Sequence, residues 1–389
     1  MNGMRRRPGR LTGLVPALLL ALATAACAGG REGPAAPSPD EAWGDGSVDG
    51  AERPAGVEEL FAEILPPHDE PSAPALADEL RSQFAGVFAP ADWPLPEPVV
   101  EEVARYVGYF HEGRARENYE RWLAREGRYR DLILAELRAA GLPDQLLYLA
   151  MLESGFSATA VSRARATGLW QFMPATGREA GLRIDDWVDE RRDPVAATRA
   201  AVRHLRVLHR ELGDWALAAA AYNTGLGRVR RAQRRHGPED RAGYFDLVAA
   251  DALPAETRSY VPLILAAGHV ATNRDRYGLG HVETEAPLAF DTLRVEGRTR
   301  LSALARATAI DLDRLRALNT HLIRGAAPPA RGGWVVRVPL GTLAREGVPG
   351  GHAIRARLAS MAVEERLLPE WREVVWTVKA GDSWWRIAN

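Results

Sequence analysis

At 389 residues the chain is long enough for two or three domains, and its 46% hydrophobic and 26% charged residues are those of an ordinary globular protein. A formal net charge of -1 leaves no electrostatic footprint for a nucleic acid. The single cysteine gives no expectation of an internal disulfide, and the nine histidines show no HExxH-type spacing, so no metal and no organic cofactor is expected.

The chain opens on a basic stretch, Arg5, Arg6, Arg7 and Arg10, followed by small and aliphatic residues from Leu11 to Ala26. That run is short for a spanning helix and suits the apolar part of a signal peptide over residues 1–26. It closes on Thr24, Ala25, Ala26 and Cys27, which resembles a bacterial lipobox. The resemblance implies cleavage before Cys27 and acylation on it, which would hold the mature chain at a membrane. Ala28 directly after it implies, by the same analogy, the outer membrane, facing the periplasm. A plain secretory signal with an incidental Cys27 is one alternative; an uncleaved anchor is another, against which Gly13 and Pro16 interrupt the run. Residues 27–56, rich in Ala, Gly, Pro, Ser, Asp and Glu, read as a flexible tether.

An N-terminal helical segment is expected over 57–140. In 57–96 prolines interrupt short helical patches, and a loosely ordered covering of the next domain is expected there. From Pro98, the residues Val99, Val103, Tyr106, Val107 and Phe110 recur at helical spacing. A second helix over about 115–140 carries Tyr119, Trp122, Leu123, Tyr129, Leu132, Ile133 and Leu137, with Gly141 as its stop. These aromatic stripes read as core.

The next stretch, LPDQLLYLAMLESGFSATAVSRARATGLWQFMPATG from Leu142 to Gly177, is the most informative. Pro143 suits a first helical position, and Leu146 to Leu152 is apolar almost all round, as in a buried helix. The helix ends in Glu153, followed by Ser154 and the breaker Gly155. Burial and the negative end of a helix dipole both raise a carboxyl pKa, which suits an acid kept protonated near neutral pH. The alternative is an ordinary solvated Glu at a frayed end.

Downstream, Asp193 and Pro194 start a helix running to about Leu212, Gly213 ends it, and Asp214 caps a helix from Trp215 to Tyr222. A last helix is expected from Pro254 to Asn273. The absence of strand-like alternation over this region predicts a mainly α domain.

Four blocks come in order: ESGF, then the run ending GLWQFMPATG, then AYNTGLGRV at 221–229, then PAETRSYVP at 254–262. Together they resemble the soluble-lytic-transglycosylase (SLT) domain, of the membrane-bound lytic transglycosylase D type, over residues 141–278. The resemblance implies a goose-type lysozyme-like helical fold and cleavage of the β-1,4 bond between N-acetylmuramic acid and N-acetylglucosamine in peptidoglycan. By the same resemblance, Glu153 is acid and then base, and the product carries a 1,6-anhydro ring. Ser154, Ser162, Gly168, Gln171, Met173, Tyr222, Asn223, Glu256 and Tyr260 would surround the glycan or orient the acid. Arg165 stands where the family usually has a small glycine.

Ordinary glycosidases use two carboxyl groups about 5 to 10 Å apart. Asp144, at the far end of the same helix, lies about 13 Å away by helical rise. Asp185, Asp186, Asp189 and Asp193 could approach in space, which leaves a lysozyme-type hydrolase open. An inert peptidoglycan-binding scaffold is the remaining reading.

Beyond 283 the texture changes. LAFDTLRV and GWVVRVPL are strand-like, and LSALARATAI and LDRLRALN between them are two short helices. That order over 283–342 resembles a divergent LysM-like glycan-binding module, a small α+β region, although the usual opening motif is missing. Residues 343–373 read as a linker with one short helix. The final VVWTVKAGDSWWRIAN, 374–389, resembles the start of a further LysM module with Trp384 where leucine is usual, so a truncated module is expected.

Overall fold

A computed structural model describes residues 73–84, 86–88, 95–237, 242–345 and 351–369. The expected signal peptide, Cys27, the tether and the module start at 374–389 lie outside these residues.

The described chain opens with α1 (Ala73–Phe84), α2 (Glu97–His111) and α3 (Gly113–Ala139). Pro98 sits in the first turn of α2, where a missing N–H costs nothing. On α1, Leu76, Leu80 and Phe84 follow one another at four-residue spacing and are all buried; Phe84 meets Tyr148 edge-on. The loose covering expected over 57–96 is therefore corrected from residue 73 onward, where a helix contributes to the core. After α3, the amides of Gly141 and Leu142 bond back to the Arg138 and Leu137 carbonyls and close the helix as expected.

Pro143 precedes the next helix rather than starting it. It is extended, and a 3-10 turn (Asp144–Leu146) leads into α4 (Leu147–Ser154), whose residues from Leu147 to Leu152 are all buried. Then come α5 (Pro174–Glu179), a 3-10 turn (Glu190–Arg192), α6 (Pro194–Leu212), α7 (Trp215–Thr224), α8 (Leu226–His236), α9 (Tyr244–Ala249) and α10 (Ala255–Thr272). The Asp193 carboxylate accepts from the Val195 and Ala196 amides at 2.8 and 3.1 Å, and Asp214 accepts from Leu217 at 2.6 Å. Each satisfies donors that the first helical turn leaves open.

α10 packs against α1, α2, α4 and α7, and every residue from Tyr260 to Ala271 is buried. Pro262 in its middle has no N–H to give to the carbonyl one turn back. That carbonyl, on Arg258, accepts from the Tyr244 hydroxyl instead. Ser259 bonds to Glu102 of α2 at 2.5 Å, so α10 is fastened at the two residues directly before Tyr260.

A second core forms around β1 (Phe290–Val295), α11 (Leu301–Thr308), α12 (Leu312–Leu318) and β2 (Trp334–Pro339), in the strand–helix–helix–strand order expected. The strands pair antiparallel, Leu293 opposite Val336 and Thr292 opposite Arg337. Leu293, Val295, Val336 and Val338 are buried, as the two-residue period of a strand requires. A two-stranded ladder is marginal alone, and helices cover this one. Among them is α14 (His352–Ala359), whose Ile354 and Leu358 enter the same core. With α13 (Thr342–Arg345) and α15 (Val363–Arg366), this corrects the reading of 343–373 as a linker with one short helix: its described residues hold more helix than expected and pack on the lobe, and Leu368 donates its amide to the Arg298 carbonyl. The class is the one expected, mainly α with a small α+β region.

Candidate active site

Glu153 stands one residue before the end of α4. Gly155 stops the helix with a left-handed φ of 55°, and a Cβ there would lie 2.2 Å from the Trp122 indole. No other residue combines that backbone with that approach. The turn is tied from within: the buried Ser154 hydroxyl donates to the Leu169 carbonyl at 2.8 Å and accepts from the Ser157 amide at 3.1 Å. Ser154 thus holds backbone together, and the hydrogen bonds of its hydroxyl go to backbone groups of the protein.

Glu153 is half-buried, closely surrounded by protein while keeping some exposed surface. Burial carries its pKa from 4.5 to about 7; a hydrogen bond from the Tyr260 hydroxyl to Oε1 pulls it back down, and the charge of Glu256 pushes it up. No arginine is among the groups that set it. A carboxyl with this balance is shared between its two forms near neutral pH, so it can give a proton and take one back.

Two phenols flank it. Burial, then the charge of Glu153, hold the Tyr260 and Tyr222 hydroxyls well above the ordinary tyrosine pKa, so both remain donors. Tyr222 donates to the Trp170 carbonyl at 2.8 Å, and its ring lies edge-on to His204. Asn223 is fixed at both ends of its amide: Nδ2 donates to Glu256 at 3.0 Å, and Oδ1 accepts from Thr257 at 2.8 Å.

The segment 160–173 forms the other side of the network. Short bridges join Val161 to Thr167 and Thr167 to Phe172, and Ser162 Oγ accepts from the Ala166 amide at 3.0 Å. Gly168 has a φ of 85°, and a Cβ there would lie 1.8 Å from the Arg191 carbonyl oxygen. Gln171, itself left-handed at 46°, donates Nε2 to the Gly168 carbonyl at 2.8 Å. Three successive carbonyls, of Gly168, Leu169 and Trp170, are therefore held by Gln171, Ser154 and Tyr222. Arg165, where the family usually has glycine, has a φ of 65°, which accounts for the usual glycine.

Of the residues singled out from sequence, Glu153, Ser154, Gly168, Gln171, Tyr222, Asn223, Glu256 and Tyr260 are linked by these contacts. Ser162 closes its own turn, and Met173 precedes α5 with 43% exposure; neither is tied to Glu153 by a bond. Asp185, Asp189 and Asp193 are engaged elsewhere. Asp185 accepts from the Trp187 and Val188 amides, Asp189 pairs with Arg191, and Asp193 pairs with Arg337. None of these, nor Asp186, is among the charges acting on Glu153; Glu256 is the carboxylate that is. Sequence reasoning passed over Thr257, although it adjoins Glu256, and over Arg191, whose partners at Arg165 and Phe172 no local pattern gives.

The transglycosylase SLT domain family matches residues 132–245. The chain is 30% identical over 293 residues to the membrane-bound lytic murein transglycosylase D of Escherichia coli, covering 74% of this chain and 61% of that protein. It thus spans about three fifths of the length of that relative. Over 88 residues it is 41% identical to the peptidoglycan transglycosylase gp16 of Escherichia phage T7, 22% of this chain and 7% of that one. Among solved structures, the lytic transglycosylase Slt of Pseudomonas aeruginosa aligns at 27% identity over 38% of this chain and 24% of its own, with a TM-score of 0.32.

Proposed function

This chain carries a transglycosylase SLT domain, and we propose that it is a peptidoglycan lytic transglycosylase whose single acid and base is Glu153. The observation that carries the reading is the environment of Glu153, with burial, one hydroxyl donor and a pKa of about 7.

In the first half of the reaction Glu153 gives its proton to the glycosidic oxygen, and the bond from that oxygen to C1 of the muramic acid breaks. The sugar's own N-acetyl group relieves the positive centre at C1. In the second half the C6 hydroxyl loses its proton to Glu153 while its oxygen bonds to C1. The carboxyl is returned protonated, no water is consumed, and the product ends in a 1,6-anhydro ring. A pKa near neutrality serves both halves, since neither proton transfer is then steeply uphill. Tyr260 orients the carboxyl, Asn223 and Glu256 form one wall, and Gly168 to Gln171 form the other.

The name of the Escherichia coli relative supports a place in the cell envelope. The lipobox supports an acyl anchor on Cys27 in the outer membrane. The strand–helix–helix–strand order supports a LysM-like fold for the C-terminal lobe.

One observation favours a second reading: the charge of Glu256 acts on Glu153, as a hydrolase's second carboxylate would. Mass spectrometry of the products from purified sacculi separates the two. The lytic reaction gives muropeptides one water lighter than the reducing ends a hydrolase leaves, and reducing ends alone would reject it.

A further inference from the structure

Residues 183–193 run between the catalytic helices and the C-terminal lobe, and both sides grip them. From the lobe, Arg337 on β2 pairs with both oxygens of Asp193 at 2.8 Å, and both side chains are largely buried. Arg337 is itself fixed: its backbone amide donates to Asn319, and its guanidinium lies 4.7 Å from the Phe290 ring centre. The turn after α12 binds the same stretch through backbone. Thr320 donates to the Arg192 carbonyl at 2.6 Å, Ile323 to that of Trp187 at 3.2 Å, and the Asp189 amide donates to His321 at 2.9 Å. Val188 is wholly buried within the lobe's own apolar core.

Toward the site, the stretch ends in a buried pair. Arg191 binds Asp189 through Nε at 2.9 Å and Nη2 at 2.7 Å. Its remaining nitrogen, Nη1, donates to the carbonyls of Arg165 at 2.9 Å and Phe172 at 3.1 Å. Its own carbonyl backs Gly168 so closely that no side chain fits. Arg191 therefore holds both ends of the 165–172 turn, whose carbonyls at 168, 169 and 170 bond to the side chains around Glu153.

We propose that the C-terminal lobe is a brace for the active site. Arg337 and the 320–323 turn hold residues 186–193, and Arg191 passes that hold to the 160–173 segment. Arg337 and Arg191 are thus positioning residues for the reaction, which rests on the reading of Glu153 as the acid. A glycan reader on a tether would leave the catalytic loop independent of it. This lobe instead commits a buried ion pair to the loop, one Arg337 nitrogen shared between both Asp193 oxygens, and removing one partner strands the other charge.

The test uses the full chain with Arg337→Met, Asp193→Asn, the double variant and Thr320→Val. Asp193→Asn keeps an oxygen to cap α6, and Thr320→Val removes one hydrogen bond alone. Kinetics are read on soluble peptidoglycan fragments, and hydrogen exchange is read on the amides of 160–173 and α4. For Arg337→Met, kcat falls about tenfold to a hundredfold while KM stays within about twofold, as expected for a misplaced rather than missing group. Exchange accelerates at Thr167, Gly168 and Gln171 and stays unchanged in α4. Thr320→Val moves both readouts the same way and less, and the double variant is no worse than Arg337→Met.

Wild-type kcat with wild-type exchange in folded variants overturns the brace. Acceleration spread through α4 also overturns it, because that is general destabilisation. If Arg337→Met does not fold, Asp193→Asn and Thr320→Val decide by the same readouts. If the wild type leaves the fragments uncut, the reading of Glu153 fails, while the exchange arm still decides the brace.

Discussion

At the end of α4, Glu153 has one hydroxyl donor and no cationic partner acting on it, and burial carries its pKa to about 7. At the start of α6, Asp193 is 6% exposed, yet its pKa lies below the usual aspartate value. Burial pushes Asp193 upward too. The charges of Arg337 and His321, with hydrogen bonds from Arg337 and the Ala196 amide, outweigh it. The helix ends act in the same two directions: Glu153 stands at a negative C-terminus and Asp193 at a positive N-terminus. Burial sets the cost of a charge, and the partners decide whether the group escapes by taking a proton or by keeping its charge. One region is left free to trade a proton; the other is an anchor.

The contrast breaks most heavily with Glu153→Gln. Release of products from sacculi is expected to fall at least about a thousandfold, since one residue serves as both acid and base. Stability should move the other way. Between pH 4.5 and about 7 the folded state holds a proton that the unfolded chain gives up, so wild-type stability falls as pH rises through that window. The amide removes this penalty, and urea denaturation above pH 7 should show a gain of up to about 3 kcal/mol.

At the anchor, Asp193→Ala removes a helix cap and leaves Arg337 buried without its partner. A cost of about 3–5 kcal/mol in urea denaturation is expected. The wild-type contribution is present above the ordinary aspartate pKa of 3.8 and is lost as pH falls through the lower folded value.

Between the two regions, Gly168→Ala sets a Cβ against the Arg191 carbonyl at a left-handed φ. It should cost about 2 kcal/mol or more and reduce activity with it, measured by denaturation and product release. Tyr260→Phe removes the hydrogen bond that lowers the Glu153 pKa. The alkaline limb of the kcat/KM profile, where the acid loses its proton, should then move to higher pH, with activity reduced about tenfold. Smallest is Arg165→Gly, which relieves a left-handed arginine and should raise stability by at most about 1 kcal/mol in thermal unfolding.

Local signals in the sequence carried most of the helices. Asp193 with Pro194, Gly213 and Asp214 mark ends that depend only on the residues beside them, and each lies where its chemistry placed it. Glu153 stood out because an apolar run closes on it. The structural task of Ser154 was hidden, because its partner at Leu169 comes from a loop whose path no local pattern gives. Arg337 and Asp193 are 144 positions apart, and nothing at either end names the other. The core packing of the helices at 73–84 and 352–359 was hidden for a related reason. One stretch read as a loose covering and the other as a linker with a short helix, while the spacings of Leu76 with Leu80 and Ile354 with Leu358 show their use only against a partner surface.

A titration of the Glu153 carboxyl in the full chain, followed by carbon-detected magnetic resonance on selectively labelled glutamate with Glu153→Gln for assignment, tests the central claim most directly. The account predicts a midpoint of about 7. A midpoint at the ordinary glutamate value of 4.5 would contradict it.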